Sequence, residues 1–196
     1  METLDNLTSA SNPGELEISD HKYEQYYGIS VKKFLWEKMW FLSKRIPFIR
    51  DDAFHYMQIK EQFLYGCINP GVIVDQEKSL FAVLTNLSSG RAKPYWVIKI
   101  LEERLDLLPK DTDTRAGEKF ATVAIYSRTP KSAQQGLWKD FHPIVIDCLV
   151  DDAAQCRATF LSIEAWEWAY LNDALAQVET PYKPGLYPVS IPEESE

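Results

Sequence analysis

Residues 72–85 read VIVDQEKSLFAVLT, and this stretch decides the fold class of the chain. Two runs of mainly β-branched, aromatic and other apolar residues, 72–74 and 79–85, flank the polar residues 75–78. Strands are enriched in such residues, and a short polar connection between two of them is typical of a β-hairpin. The stretch therefore predicts two antiparallel strands joined by a turn.

Four further segments have the composition of strands. They are residues 62–68, 94–101, 120–126 and 143–149. The Asn-Pro-Gly sequence of residues 69–71 is a strong turn signal and is predicted to separate the first segment from the hairpin. Because no long helical pattern interrupts these segments, they predict an antiparallel meander that can curl into a small barrel. The loops 107–118 and 127–140 are long for hairpins, and long ordered loops often hold sites.

A basic helix is predicted ahead of the sheet, over residues 31–46. Its apolar residues recur at helical spacing after Ser30, a plausible N-cap, and Pro47 is predicted to end it. Residues 31–50 hold six basic side chains and one acidic one, which gives a local net charge of +5. A shorter helix is expected from residue 51 or 52, and two more after the sheet, from Asp152 and over residues 163–178.

The predicted fold class is α+β: an N-terminal cationic amphipathic helix, an antiparallel sheet or small β-barrel of about six strands, and a C-terminal helix. Residues 1–20 are acidic and polar, and we expect a disordered leader there. Residues 21–180 are predicted to form a single domain, followed by an extended Pro-rich tail over residues 181–196.

Overall charge and cysteine content limit the class of protein. The net charge is −8 and the sequence pI about 5.0, whereas nucleic-acid binding needs a basic surface, so no nucleic-acid partner is predicted. Three cysteines without a CxxC pair favour a reducing cytoplasm over a secreted disulfide framework. The basic helix is far too short and too charged to span a bilayer.

Candidate catalytic and cofactor motifs are weak. The histidines 21, 55 and 142 have no metal-ligand spacing, and residues 111–115 begin like a calcium loop but place Arg115 at a ligand position. Cys67 and Cys148 fall in predicted strands, where a thiol is usually inert. We therefore predict no catalytic residue, no metal and no cofactor.

Segment 137–143, LWKDFHP, combines two aromatic residues with a lysine, an aspartate and a histidine, the densest such mixture in the chain. Trp138 and Phe141 are candidates for the walls of a ligand pocket, with Asp140 and His142 as its polar contacts. In the alternative interpretation the aromatic rings plug one end of the sheet and the polar groups satisfy turn amides.

Three functional hypotheses remain open from the sequence. The leading one is a non-enzymatic interaction or ligand-binding module. The second is a hydrolase or transferase with Asp140 and His142 as acid and base. The third is a peripheral membrane protein that uses the basic helix, because aromatic and basic side chains together are typical of interfacial helices. Its contact residues would be Trp36, Trp40, Lys33 and Lys44.

Residues 138–143, 165–177 and 184–188, the last reading PGLYP, together resemble an uncharacterised bacterial family of small domains. The resemblance covers residues 69–188. It implies a bacterial source and a compact, sheet-rich fold, and it assigns neither an activity nor a site residue.

Overall fold

The computed structural model describes residues 13–30, 47–89 and 93–191, and it confirms the α+β class. Its helices are α1 (Asp20–Tyr27), α2 (Pro47–Tyr65), α3 (Pro130–Gln134), α4 (Ala153–Ser162) and α5 (Ala165–Leu175). Its strands are β1 (Ile68–Asp75), β2 (Leu80–Asn86), β3 (Trp96–Glu102), β4 (Lys119–Ser127), β5 (Asp140–Val145) and β6 (Gly185–Pro188). Short 3-10 turns follow β3 and β5.

The six strands form one antiparallel sheet in the order β5-β4-β1-β2-β3-β6. The predicted hairpin is confirmed, since β1 pairs with β2 with Ile73 opposite Phe81. The predicted meander holds only for β1, β2 and β3, because β4 returns to the other side of β1. The sheet curls into a half-barrel, so Lys99 on β3 reaches the Phe141 carbonyl on β5 across three intervening strands.

Two predictions at the start of the sheet are wrong. Residues 62–65 end helix α2 instead of forming a strand, because Tyr56, Ile59 and Phe63 follow helical spacing and are all buried. The Asn-Pro-Gly segment of residues 69–71 lies inside β1 instead of forming a turn. All three residues pair with β4, and Gly71 also pairs with β2.

The C-terminal part agrees more closely with the sequence patterns. Asp152 caps α4 by accepting hydrogen bonds from the backbone N–H groups of Ala154 and Gln155, as predicted. Helix α5 lies inside the predicted range of residues 163–178. The sixth strand, β6, comes from the predicted tail, where residues 185–188 pair with β3.

Apolar residues fill both faces of the half-barrel. Phe81, Val97 and Phe141 belong to the cluster inside the curl. One outer cluster packs α1, α2 and α4 against β4 and β5, and the other packs α5 against β1, β2 and β3. Helices therefore cover much of the outer face of the sheet, and apolar side chains fill the inner one.

The N-terminal part packs more closely than its composition predicts. Leu16, within the predicted leader, is fully buried, and its N–H donates to the Phe63 carbonyl at 3.0 Å. Pro13 forms a β-bridge with Cys67, and Ser19 caps α1. The predicted basic helix of residues 31–46 lies outside the described residues. Among the residues that are described, no helix is long and apolar enough to span a membrane.

Replacement of Ser79 by glycine is expected to raise the free energy of unfolding by about 0.5 kcal/mol, because Ser79 has a φ of 51° and glycine adopts this conformation without strain. Urea denaturation monitored by circular dichroism measures the change. Ser79→Ala is the control and is expected to be destabilising. A Ser79→Gly variant less stable than the wild type would contradict the prediction.

Candidate functional site

Trp138 and Phe141 lie at the same end of the half-barrel but differ in exposure. Phe141 is 1% exposed and belongs to the inner core. Trp138 is half-buried and contacts the rim of that core, with its ring centroid 5.4 Å from the centroid of Tyr126. Trp138 is therefore the more accessible of the two aromatic residues predicted to line a site.

Asp140 is held by two hydrogen bonds, and His142 lies two residues further along β5. Asp140 Oδ1 accepts from Lys99 Nζ at 2.9 Å and from the Phe141 N–H at 2.8 Å. The His142 side chain is exposed, yet partial desolvation of its ring and the Lys99 ammonium lower its pKa, while the Asp140 carboxylate opposes this. Their role as an acid and base pair stays a prediction.

Lys99 closes the open edge of β5. Its ammonium donates to the Phe141 carbonyl at 2.6 Å, while the Phe141 N–H on the same edge is satisfied by Asp140. The next residue on that edge is Pro143, which has no N–H to satisfy. Exposed strand edges invite pairing with other chains. Side-chain contacts and a proline therefore replace backbone pairing here, and they fix the start of β5 beside Trp138.

Two loops meet at this end of the sheet, and their described residues, 87–89, 93–95 and 127–139, are called the cationic end below. The Trp138 N–H donates to the Leu87 carbonyl at 2.8 Å, and the Leu87 N–H donates to the Tyr95 carbonyl at 2.8 Å. The Ser89 N–H donates to the Gly136 carbonyl at 2.7 Å. Backbone hydrogen bonds thus join three neighbouring segments into one surface.

The cationic end carries basic side chains and no acidic ones. Its basic residues are Lys93, Arg128, Lys131 and Lys139, and all four are exposed. None of the residues in the three segments is Asp or Glu. In a chain with a net charge of −8, this surface is an electropositive patch, and the adjoining carboxylate of Asp140 is already paired with Lys99.

Aromatic side chains border these charges. The Arg128 guanidinium lies 4.8 Å from the centroid of the Trp138 ring, and Arg128 also donates to Ser89 Oγ at 2.8 Å. The Trp138 indole N–H donates to no group among the described residues, and the side chain keeps partial access to solvent. Tyr95 is 40% exposed. Two partly exposed aromatic groups therefore lie among the basic residues.

The opposite end of the sheet is rich in acidic residues: Asp75, Glu77, Glu102, Asp106, Asp113 and Glu118. Several of them pair with nearby bases, as Asp106 does with Arg104. A cleft of about 830 Å³ opens there, between the β1–β2 turn, the end of β3 and residues 181–184. The seven residues of β2 separate the two ends by roughly 20 Å.

Burial also changes the acidity of the three thiols and of one buried carboxyl group. Burial raises the pKa of Cys67 and of Cys148, and it raises that of Cys156 to about 12. Burial also raises the pKa of Glu103, against the donors Tyr26 and Arg104. Because the thiolate is the nucleophilic form, these cysteines are chemically quiet. Among the described residues, no group of His, Cys, Asp and Glu is arranged to hold a metal ion.

Nothing in the sequence predicts that one surface unites the basic residues Lys93, Arg128, Lys131 and Lys139. The signal available in the sequence is that the loops 87–93 and 127–139 both contain basic residues and no acidic ones. Only the hydrogen bonds between the loops show that their charges add together.

Comparisons with known proteins identify a family. A solved structure similar to this chain is described as "Crystal structure of a putative membrane protein from Corynebacterium diphtheriae"; it shares 17% identity over 62% of this chain and 99% of that chain, with a TM-score of 0.48. No curated protein matches the chain. A family model described as "Protein of unknown function (DUF3239)" matches residues 55–179, well over half of the 196 residues. The chain therefore belongs to this sheet-rich family of unknown function, which confirms the resemblance to an uncharacterised family.

Proposed function

We propose that this chain is a non-enzymatic binding module that docks a negatively charged partner on its cationic end. The observation that supports the proposal is the joining of two loops, rich in basic residues and free of acidic ones, by backbone hydrogen bonds. A surface held in this way presents its charges without the entropic cost of ordering two separate loops on binding. The indole N–H of Trp138, which donates to none of the described residues, adds a hydrogen-bond donor for an anionic or carbonyl group.

The acidic end of the molecule does not cancel this attraction. The two ends are roughly 20 Å apart, whereas charges are screened beyond about 8 Å at physiological ionic strength. A partner at the cationic end therefore experiences mainly the local positive charge. The charge separation also orients the molecule as it approaches a negative surface, with the cationic end leading.

The predicted site residues have distinct roles in this proposal. Trp138 is the contact residue, because it combines partial exposure with a free donor. Asp140 and Phe141 support it from β5 through their contacts with Lys99. His142 is exposed on the same strand and adjoins this group.

We further propose a cytoplasmic location, which the three free thiols of Cys67, Cys148 and Cys156 support.

Chromatography on immobilised heparin, a generic polyanion, tests the proposal. A cationic-end variant combines Lys93→Glu, Lys131→Glu and Lys139→Glu. A remote-charge variant combines Lys60→Glu, Lys110→Glu and Lys183→Glu, three lysines that are also exposed but lie elsewhere. Both variants change the net charge equally, so they separate local from overall electrostatics.

The wild type and the remote-charge variant are expected to bind heparin at low ionic strength and to elute with added salt. The cationic-end variant is expected to bind at least about tenfold more weakly, because several local attractions become repulsions. Equal loss of binding in both variants would contradict the proposal, since the effect would then follow net charge. Absence of wild-type binding would also contradict it.

A further inference from the structure

We propose that the partner of the cationic end is an anionic phospholipid surface, an inference that rests on the proposed function and names its partner. Negative lipid headgroups attract clustered lysine and arginine, and Trp and Tyr side chains favour the boundary between headgroups and acyl chains. The cationic end combines both kinds of side chain within three segments that backbone hydrogen bonds join.

The aromatic residues of the cationic end favour an interfacial role over stacking on nucleic-acid bases. A base-stacking platform needs a free ring face. The ring of Trp138 is instead covered by the Arg128 guanidinium at 4.8 Å, and Tyr126 lies beside it. The indole N–H has no acceptor among the described residues and suits the ester carbonyl and phosphate oxygens of a headgroup. Tyr95 supplies a second amphipathic ring, 40% exposed.

The position of the cationic end fits docking on an extended surface. Its loops are at the end of the half-barrel, beyond the last residues of β2 and β4 and before the first residues of β3 and β5. The acidic end is roughly 20 Å away along the strands, so repulsion between it and a negative membrane is screened. Attachment by this end therefore holds the acidic residues away from the lipid.

The strength of the attachment follows from the number of basic residues. A lysine or arginine near a negative membrane surface strengthens binding about five- to sixfold. The four exposed bases of the described surface therefore give a preference of about 1,000-fold for anionic over neutral membranes. Because the attraction is electrostatic, it is expected to fall steeply with added salt.

Co-sedimentation with vesicles tests this inference on the full chain. The vesicles are pure phosphatidylcholine, or phosphatidylcholine with about one third phosphatidylglycerol, a composition that gives a strongly negative surface. The wild type and the remote-charge variant are expected to bind only the anionic vesicles, reversibly with salt. The cationic-end variant is expected to lose at least about 100-fold in affinity. Binding to neutral vesicles with equal affinity would overturn the inference.

Quenching by brominated phosphatidylglycerol locates the contact. We expect the tryptophan fluorescence of the wild type to be quenched and the Trp138→Phe variant to lose most of this effect. Trp168→Phe is the matched control, because Trp168 is half-buried on α5 beneath Lys119. If the double variant Trp36→Phe/Trp40→Phe loses the quenching and Trp138→Phe keeps it, the contact lies in residues 31–46 and the inference is wrong.

The two experiments distinguish a failure of the lipid inference from a failure of the proposed function. Heparin binding that depends on the cationic end, together with no binding to anionic vesicles, would keep the proposed function and overturn the lipid inference.

A competition experiment compares lipid with other anionic partners. Polyglutamate and duplex DNA serve as competitors that represent an acidic protein and a nucleic acid. If either one displaces the protein from the vesicles when its concentration of charged groups is far below that of the anionic lipid headgroups, lipid is not the preferred partner. Failure to displace it supports the inference.

Discussion

Substitution of Gly71 by alanine is expected to lower the free energy of unfolding by about 3 kcal/mol, because the new methyl group has no space. Gly71 lies in β1 between two paired strands. A Cβ atom there would approach Phe81 Cε1 to 2.6 Å and Thr122 Cγ2 to 3.2 Å, and would come still closer to Phe81 Cζ. Phe81 is 1% exposed, so its ring cannot move out into solvent.

Thermal and urea unfolding measure this effect. For a domain of this size a loss of about 3 kcal/mol corresponds to a decrease in Tm of roughly 6–12 °C. Gly185→Ala is a control on the edge strand β6, where the nearest atoms belong to the Tyr187 ring at 3.1 Å. Its expected cost is below about 1 kcal/mol, because a side chain at an edge strand yields more easily.

A second substitution separates crowding from other effects of alanine. Phe81→Leu shortens the side chain that the new methyl group meets. The double variant Gly71→Ala/Phe81→Leu is expected to be more stable than the sum of the single effects predicts, by about 1 kcal/mol or more. Strict additivity of the two changes would show that contact with Phe81 is not the cause.

Replacement of Lys99 by methionine is expected to destabilise the fold by about 2 kcal/mol. Methionine keeps an apolar chain of similar length but removes the ammonium group that donates to the Phe141 carbonyl and to Asp140. The Lys99 side chain is 17% exposed and Asp140 is 43% exposed, so solvent weakens the ion pair. Most of the loss is therefore assigned to the carbonyl left without a donor at the edge of β5.

Lys119→Met provides the matched control for this experiment. Lys119 is an exposed lysine on β4 whose ammonium lies 4.9 Å from the Trp168 ring centroid. An exposed cation–π contact contributes about 0.5–1 kcal/mol, so this change is expected to cost less than Lys99→Met. Equal effects of the two substitutions in urea denaturation would contradict a specific role for Lys99 in closing the edge of β5.

Local sequence patterns predicted much of the sheet but misplaced its first strand. The hairpin of residues 72–85 was recognisable because two apolar runs flank a polar turn. Residues 62–65 have apolar and aromatic side chains that suit a strand or a helix, and a short apolar run does not distinguish the two. The Asn-Pro-Gly segment resembles a turn, but Gly71 is required in β1 by the close approach of Phe81.

Composition made one segment a candidate site but did not show which other loops lie beside it. The segment around Trp138 combines aromatic, basic and acidic groups, and it does lie at one end of the sheet. The surface beside Trp138 also includes Lys93 and Ser89, which precede it by 45 and 49 residues in the chain. Phe141, predicted to line a pocket, is a core residue because alternate residues of β5 face the inside of the curl.

The sequence by itself determined the α+β class, the antiparallel hairpin and the helix that Asp152 caps, because each depends on residues close together in the chain. Only the tertiary structure decided that β4 returns to β1, that Lys99 closes the edge of β5, and that two distant loops form one cationic end. These features depend on the curl of the sheet, which brings together residues from separate strands and loops. A pattern of neighbouring residues carries no information about that curvature.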